Sequence, residues 1–455
     1  MSRAVTRRDA LAAFAASLAN PALASPALAT PALGQTRDAA FDVDVVVIGA
    51  GAAGVGAARE LRRLGKSCLV LEARARVGGR VFTDQSLGQP FDAGALYIHW
   101  AERNPWTQLA RDYGFELVDP SAMSGGSRFV DRGGEGGAGG GRRGGFWAVQ
   151  SLFDAEAGEV PDVSFMERVG GPQAEGAGAA MTIARKALGD EPERISALDY
   201  ARLWSGDDYV LPLGYGALLT RAAQGLDIRL STPVQAIDWS GAGVRVSTRE
   251  GEVRARVCIV TLPVGVLRSG AVRFTPALPA ATQDALNGLG MGALTKIALR
   301  FNGERFGVPT GMDIWERIGP RASFNFECFA WDRDLVIATF GGDHAREIVR
   351  LGETGAVDHA LEAFARLVGA DARKALRGGR LAAWSADPFS LGCYSHAAPG
   401  RAGARAALAQ PVGARLFFAG EATANGGGAR DDFGPAMTAG GAWLAGVDAA
   451  RRAFG

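Results

Sequence analysis

Four cysteines, four histidines and four lysines in 455 residues leave little obvious chemistry on display. Cys68, Cys258, Cys328 and Cys393 lie far apart and form no Cys-x-x-Cys, which argues against the usual zinc and iron–sulfur frameworks. Cys68 and Cys258 sit in apolar, strand-like runs and read as buried thiols. His344, His359 and His396 show no ligand spacing, so no metal site is expected. Excess charge of either sign is missing too. The 49 basic and 48 acidic residues leave a net +1, which removes a basic nucleic-acid-binding face or an acidic tail as the chain's main business. No stretch reaches ~18 consecutive apolar residues, so no membrane span is expected. A collagen-like glycine period and the repeats of solenoids and propellers are absent as well.

What is present is globular. Hydrophobic residues make up 47% and charged residues 21% of the chain, and the length suggests two or three domains. Glycine is in excess, at 64 residues, about twice the usual ~7%. Residues 1–35 read as an export signal and are set aside from the fold. Arg3, Arg7 and Arg8 precede a short apolar stretch and small-residue cleavage sites, and Thr6-Arg7-Arg8-Asp9-Ala10-Leu11 is similar to a twin-arginine signal. A periplasmic or secreted location is therefore expected. Residues 124–145 are almost all Gly, Arg, Ser, Asp and Glu. They read as a flexible Gly/Arg-rich insertion with no core to bury.

The mature chain opens on a β-branched run, Val43–Ile48, followed by Gly49-Ala50-Gly51-Ala52-Ala53-Gly54. An Ala-rich helix is predicted from Val55 to Leu64, stopped by Gly65, and Cys68–Leu71 is the next strand. This βαβ context turns a weak GxGxxG into a dinucleotide-binding turn. Gly49, Gly51, Ala53 and Gly54 let backbone N–H groups approach a pyrophosphate at the helix N-terminus. Glu72, about 20 residues on, is placed to accept from a ribose hydroxyl. Ala73, Arg74, Arg76, Gly78, Gly79 and Arg80 follow, and suit a second approach to phosphate with Arg80 as charge partner.

That second segment resembles its counterpart in flavin-containing amine oxidases, the group of monoamine oxidases, polyamine oxidases and histone lysine demethylases. The resemblance covers nearly all of residues 43–454 through separated motifs. Phe91-Asp92-Ala93-Gly94-Ala95-Leu96-Tyr97-Ile98-His99 is similar to the family's loop against the flavin. It implies cofactor contacts at Ala95 and Leu96 and a site-entrance histidine at His99. Asn104-Pro105, Leu213-Gly214-Tyr215-Gly216, Thr261–Leu267 and Phe274–Pro279 also look like family segments. Val234 stands where relatives hold the adenine. Phe418-Ala419-Gly420-Glu421-Ala422-Thr423 implies flavin contacts at Gly420 and Glu421. Thr438 opens the last helix, whose N-terminus is expected to face the flavin pyrimidine and stabilise its anionic reduced form.

Lysine scarcity makes Lys296 informative, because arginine serves almost everywhere else. In an apolar strand a charge is costly without a partner, and the resemblance gives this position a water held against flavin N5. Tyr394 aligns with one wall of the monoamine oxidase aromatic cage, where an aromatic face orients an amine. The other wall falls on Thr438, so only half the cage is expected. Cys393 aligns with the cysteine that carries covalent flavin in monoamine oxidases, and covalent attachment here is possible but not favoured. Asp431-Asp432 stands near the expected substrate helix and could attract a cationic amine.

The expected fold is α/β: a Rossmann-like FAD-binding domain (43–100, 205–275 and 390–455) interleaved with an α+β substrate domain (101–204 and 276–389) on a mostly antiparallel sheet. The expected activity is FAD-dependent oxidation of a C–N bond in a primary or secondary amine, monoamine or polyamine. A hydride passes to flavin N5, the imine hydrolyses, and O2 reoxidises the flavin to give H2O2. The alternatives are an L-amino acid oxidase, or an amine dehydrogenase that passes electrons to a periplasmic redox protein.

Overall fold

The computed structural model describes residues 41–131, 149, 151–153, 160–203, 206–317, 323–424 and 434–454. The export segment, the greater part of the Gly/Arg tract and the Asp431-Asp432 pair lie outside them. Two large sheets carry the architecture. The first is mixed and eight-stranded. In order it runs Arg273–Thr275, Val234–Asp238, Val244–Thr248, Gly251–Val260, Val43–Ile48, Cys68–Leu71 and Ile228–Arg229, with Leu416–Phe418 also pairing Gly251–Val260. Val43–Ile48 pairs in parallel on both sides. A strand covered on both faces needs apolar residues at every position, which the run Val45-Val46-Val47-Ile48 supplies at 2% exposure or less.

The first helix runs Ala52–Arg63, three residues earlier than its apolar pattern suggested, so the second half of the GxGxxG is already helical. Gly49 has φ +104°, and a Cβ on Gly54 would fall 1.8 Å from the Gly49 carbonyl oxygen. No side chain fits between that strand end and that helix start. The last helix, Ala439–Arg452, packs along the first. Here too backbones touch, since a Cβ on Gly446 would meet the Ala53 carbonyl oxygen at 2.0 Å. Glu60, buried between the two helices, pairs with Arg63 at 2.8 Å and Arg451 at 2.6 Å. Those arginines hold its carboxyl down at about 2.

The second sheet is six-stranded: Leu376–Ala382, Leu294–Phe301, Leu335–Gly341, Ser323–Cys328, Met312–Arg317 and Ser127–Asp131. All its pairs are antiparallel except the last. Helices Gly342–Arg350 and Gly352–Val368 cover one face, burying Ile297, Leu299, Phe326, Phe340 and Phe364. The opposite face looks into a cavity.

Two expectations need correcting. The tract 124–145 is not wholly an unstructured insertion, because Ser127–Asp131 is an edge strand. Phe129 and Val130 supply the strand-forming residues that the surrounding glycines hide. The last helix, for which the proline near its first turn suggests a start at about Pro435, begins at Ala439, capped by Thr438, whose Oγ1 accepts from the Gly441 N–H at 3.0 Å. Among the described residues, all four cysteines are free thiols and no helix is long and apolar enough to cross a membrane.

Candidate active site

A single cavity of about 1040 Å³ runs from the GxGxxG turn to the open face of the second sheet. Small-molecule pockets usually hold ~300–1,000 Å³, so there is room here for a large cofactor and a substrate together. At one end lie Gly49, Gly51, Ala53, Glu72, Ala73, Arg74, Gly79, Arg80 and Val234. A Cβ on Gly51 or Gly420 would meet nothing closer than 4.0 Å. Those positions are open backbone facing the cavity, as a dinucleotide requires. Gly54 does not line it and serves the turn itself.

Glu72 is buried, and its carboxylate accepts from the Ala50 and Arg74 N–H groups, both at 2.8 Å. This fixes its orientation at the end of the second strand. Arg74 lines the cavity with its charge already engaged, donating to Asp387 at 2.7 Å and Ser390 at 2.9 Å. Arg76 is taken up structurally, donating to the Val77 and Gly79 carbonyls while covering the Phe82 ring. Arg80 bridges outward, donating to the Cys393 carbonyl at 2.8 Å and to Glu421 at 3.0 Å. Burial pushes Glu421 up, but Arg80, Arg405 and Ser395 outweigh it and hold the carboxyl below its usual range. The expected charge partner for phosphate and the expected flavin contact are thus partners of each other.

Lys296 lies in the middle of the strand Leu294–Phe301, on the cavity face. Its Nζ donates to the Asp92 carbonyl at 2.9 Å and the Gly94 carbonyl at 2.8 Å. Trp384 Nε1 donates to the carbonyl between them, Ala93, at 2.8 Å. Three successive carbonyls of the loop 92–94 are therefore pinned by two side chains from the second sheet and its following segment. An ammonium has three donors, so Lys296 keeps one to offer. Burial lowers its pKa, opposed by the Asp92 and Glu327 charges. Asp92 itself is pushed up to about 6 by burial, against hydrogen bonds from Thr83 and Tyr215 and the charges of Lys296 and Arg333.

Ala95, Leu96, His99, Cys393, Tyr394 and Thr438 also line the cavity. His99 Nδ1 lies 3.0 Å from Asp208. Tyr394 Oη donates to the Lys186 carbonyl at 3.5 Å. The Thr438 hydroxyl donates to the Pro435 carbonyl at 2.8 Å while capping the last helix. Thr438 and Ala439 place the N-terminus of that helix on the cavity wall, and no aromatic ring stands at the Thr438 position. The Cys393 thiol is pushed up to about 12 by burial.

The far end of the cavity was not read from the sequence. Asp313 and Trp315 come from Met312–Arg317, Asn325 and Glu327 from Ser323–Cys328, and Lys186 from the wide turn Ala184–Leu188. The strand Ser323–Cys328 carries a period-two signal, with Asn325 and Glu327 flanking the fully buried Phe326. Ile314 is likewise flanked by Asp313 and Trp315.

A dinucleotide cradle of this form, opening onto a lysine-bearing antiparallel sheet, defines a nucleotide-cofactor oxidoreductase with a separate substrate face. The chain belongs to the flavin containing amine oxidoreductase family, which it matches over residues 52–194 and 179–453. It is 29% identical over 425 residues to lysine-specific histone demethylase 2 of Homo sapiens, covering 83% of this chain and 50% of that protein. It is 28% identical over 435 residues to polyamine oxidase 2 of Arabidopsis thaliana, covering 84% and 83%. The chain thus spans about half the length of the demethylase relatives. A solved structure from a redesign of cofactor binding in putrescine oxidase shares the fold, with a TM-score of 0.74 at 19% identity, covering 90% of this chain and 98% of that one.

Proposed function

We propose that the protein is an FAD-dependent amine oxidase that oxidises the C–N bond of a small primary or secondary amine and releases hydrogen peroxide. The observation that carries this reading is the placement of Lys296. It is anchored to the Asp92 and Gly94 carbonyls where the dinucleotide cradle meets the substrate face, with a donor to spare. When bound, FAD supplies the two-electron acceptor that dioxygen then reoxidises.

The chain's own residues do the rest. Gly51, Gly79 and Gly420 admit the cofactor to the backbone, and Glu72 and Val234 flank its adenosine end. The N-terminus of the helix Ala439–Arg452 stabilises negative charge that develops at the other end. Lys296 orients whatever acceptor its third N–H reaches, a water or a cofactor atom. Tyr394 offers a ring face to the amine, and the apolar cavity excludes bulk water. Cys393 supports non-covalent cofactor, because a thiol at about 12 yields little thiolate to form a bond. The Arg7-Arg8 segment supports export to the periplasm.

The test is a screen of amines against purified holoprotein. Bleaching of the flavin spectrum without oxygen, and peroxide release with it, are expected for at least one amine. Bleaching without peroxide would transfer the reading to a dehydrogenase with a protein acceptor.

A further inference from the structure

Of the four lysines, two face this one cavity. Lys186 is an exposed residue that lines the cavity. Its Nζ donates to Asn325 Oδ1 at 2.7 Å and lies 3.7 Å from the centre of the Trp315 ring. Asn325 Nδ2 in turn donates to Asp313 Oδ1 at 3.3 Å. Asp313 and Glu327, directly opposite each other in the sheet, form no direct ion pair with Lys186, but their charges favour its ammonium against burial, which lowers it to about 8. An indole face, an amide oxygen and two carboxylates are what an ammonium ion requires of a binding site. The chain has built that site and filled it with its own side chain.

Its position is set by strand register. Lys296 pairs with Thr339, and Thr339 pairs with Asn325. Two strand spacings place the Lys186 site ~10 Å along the sheet from Lys296. A flexible amine oxidised beside Lys296 would lay its far end there. Lysine suits such a plug, being a compact point charge on a flexible stem, and this chain otherwise prefers arginine.

We propose that Lys186 is a specificity-determining residue: its ammonium occupies the cation site formed by Trp315, Asn325, Asp313 and Glu327, so that the cavity selects amines with one positive charge over α,ω-diamines. The proposal rests on the amine-binding reading above. A second ammonium on the substrate meets a filled site and a like charge. An apolar tail lies along the Trp315 and Ile337 walls at no such cost.

The test compares hexylamine with hexamethylenediamine on the FAD-loaded protein. Anaerobic calorimetry gives binding, and peroxide release gives kcat/KM. The natural protein is expected to favour hexylamine in both. Lys186→Met should shift the ratio toward the diamine by about tenfold, the scale of one cation-binding contact. Lys186→Arg should keep the original order. Lys186→Gln, which retains a donor for Asn325, should shift as Lys186→Met does and serves if the latter fails to hold flavin. Diamine preference in the natural protein, or an unchanged ratio in both neutral variants, overturns the proposal. Where neither amine is turned over, the binding ratio alone decides Lys186, and the oxidase reading stands or falls on the wider amine screen.

Discussion

Lys296 is the residue on which most depends, and its structural bonds separate two roles. Two of its donors hold the loop 92–94, one of an ammonium's three is left over, and the residue lines the cavity. Lys296→Met removes both. Trp384 still holds Ala93, so the loop should keep its place well enough to bind FAD. Turnover is expected to fall by about 10²-fold, the usual cost of losing one positioned donor. Flavin content, stopped-flow reduction and reoxidation by oxygen measured on the same sample would show it, and both half-reactions unchanged would remove Lys296 from the chemistry. Asp92 gives a second expectation. Its folded value near 6 lies above the ordinary 3.8, so between about pH 4 and 6 the native state holds a proton that the unfolded chain has lost. Stability from this group therefore declines as pH rises through that window. Asp92→Asn should flatten that decline, read from denaturant midpoints taken across the window.

Elements meet in this protein through missing side chains. The first and last helices approach closely because Gly446 lies over the Ala53 carbonyl and Gly56 over Trp443. Ala53, Thr438 and Ala442 from those helices line the cavity, so their spacing sets the width of the cofactor cradle. Gly446→Ala should push the helices apart and cost about 3 kcal/mol by overpacking. Weaker flavin binding should follow, because the cradle widens. Equilibrium unfolding and flavin titration together would show it. Stability lost with flavin affinity intact would mean that the cradle does not depend on this contact.

For the whole molecule, the two sheets place the glycine turn and the Lys296 face on different stretches of chain, joined at the 92–94 loop. The non-covalent reading of Cys393 is tested at this scale. Acid precipitation of the holoprotein should leave the yellow flavin in the supernatant, and colour retained in the pellet would show a covalent bond.

How much of this was legible follows from which interactions are local. The βαβ unit, the GxGxxG, Glu72 and the isolated Lys296 can be read along the chain, because strand burial, turn geometry and helix starts depend on neighbouring residues. The lysine's scarcity did the same for function, since a costly residue in an apolar strand needs a reason. The pairing of Arg80 with Glu421 spans 341 positions, and that of Lys186 with Asn325 spans 139. No local pattern encodes either. The sheet register that aligns Lys296, Thr339, Asn325 and Trp315 is set by pairings among four strands, one of them preceded by residues outside the described set. Sequence alone determined the glycine turn of a dinucleotide-binding unit and a lone lysine in an apolar strand, both of which line one cavity. Only tertiary structure decided which charges are already spent on one another and which remain for a ligand, because a charge's availability depends on what the fold brings within a few ångströms of it.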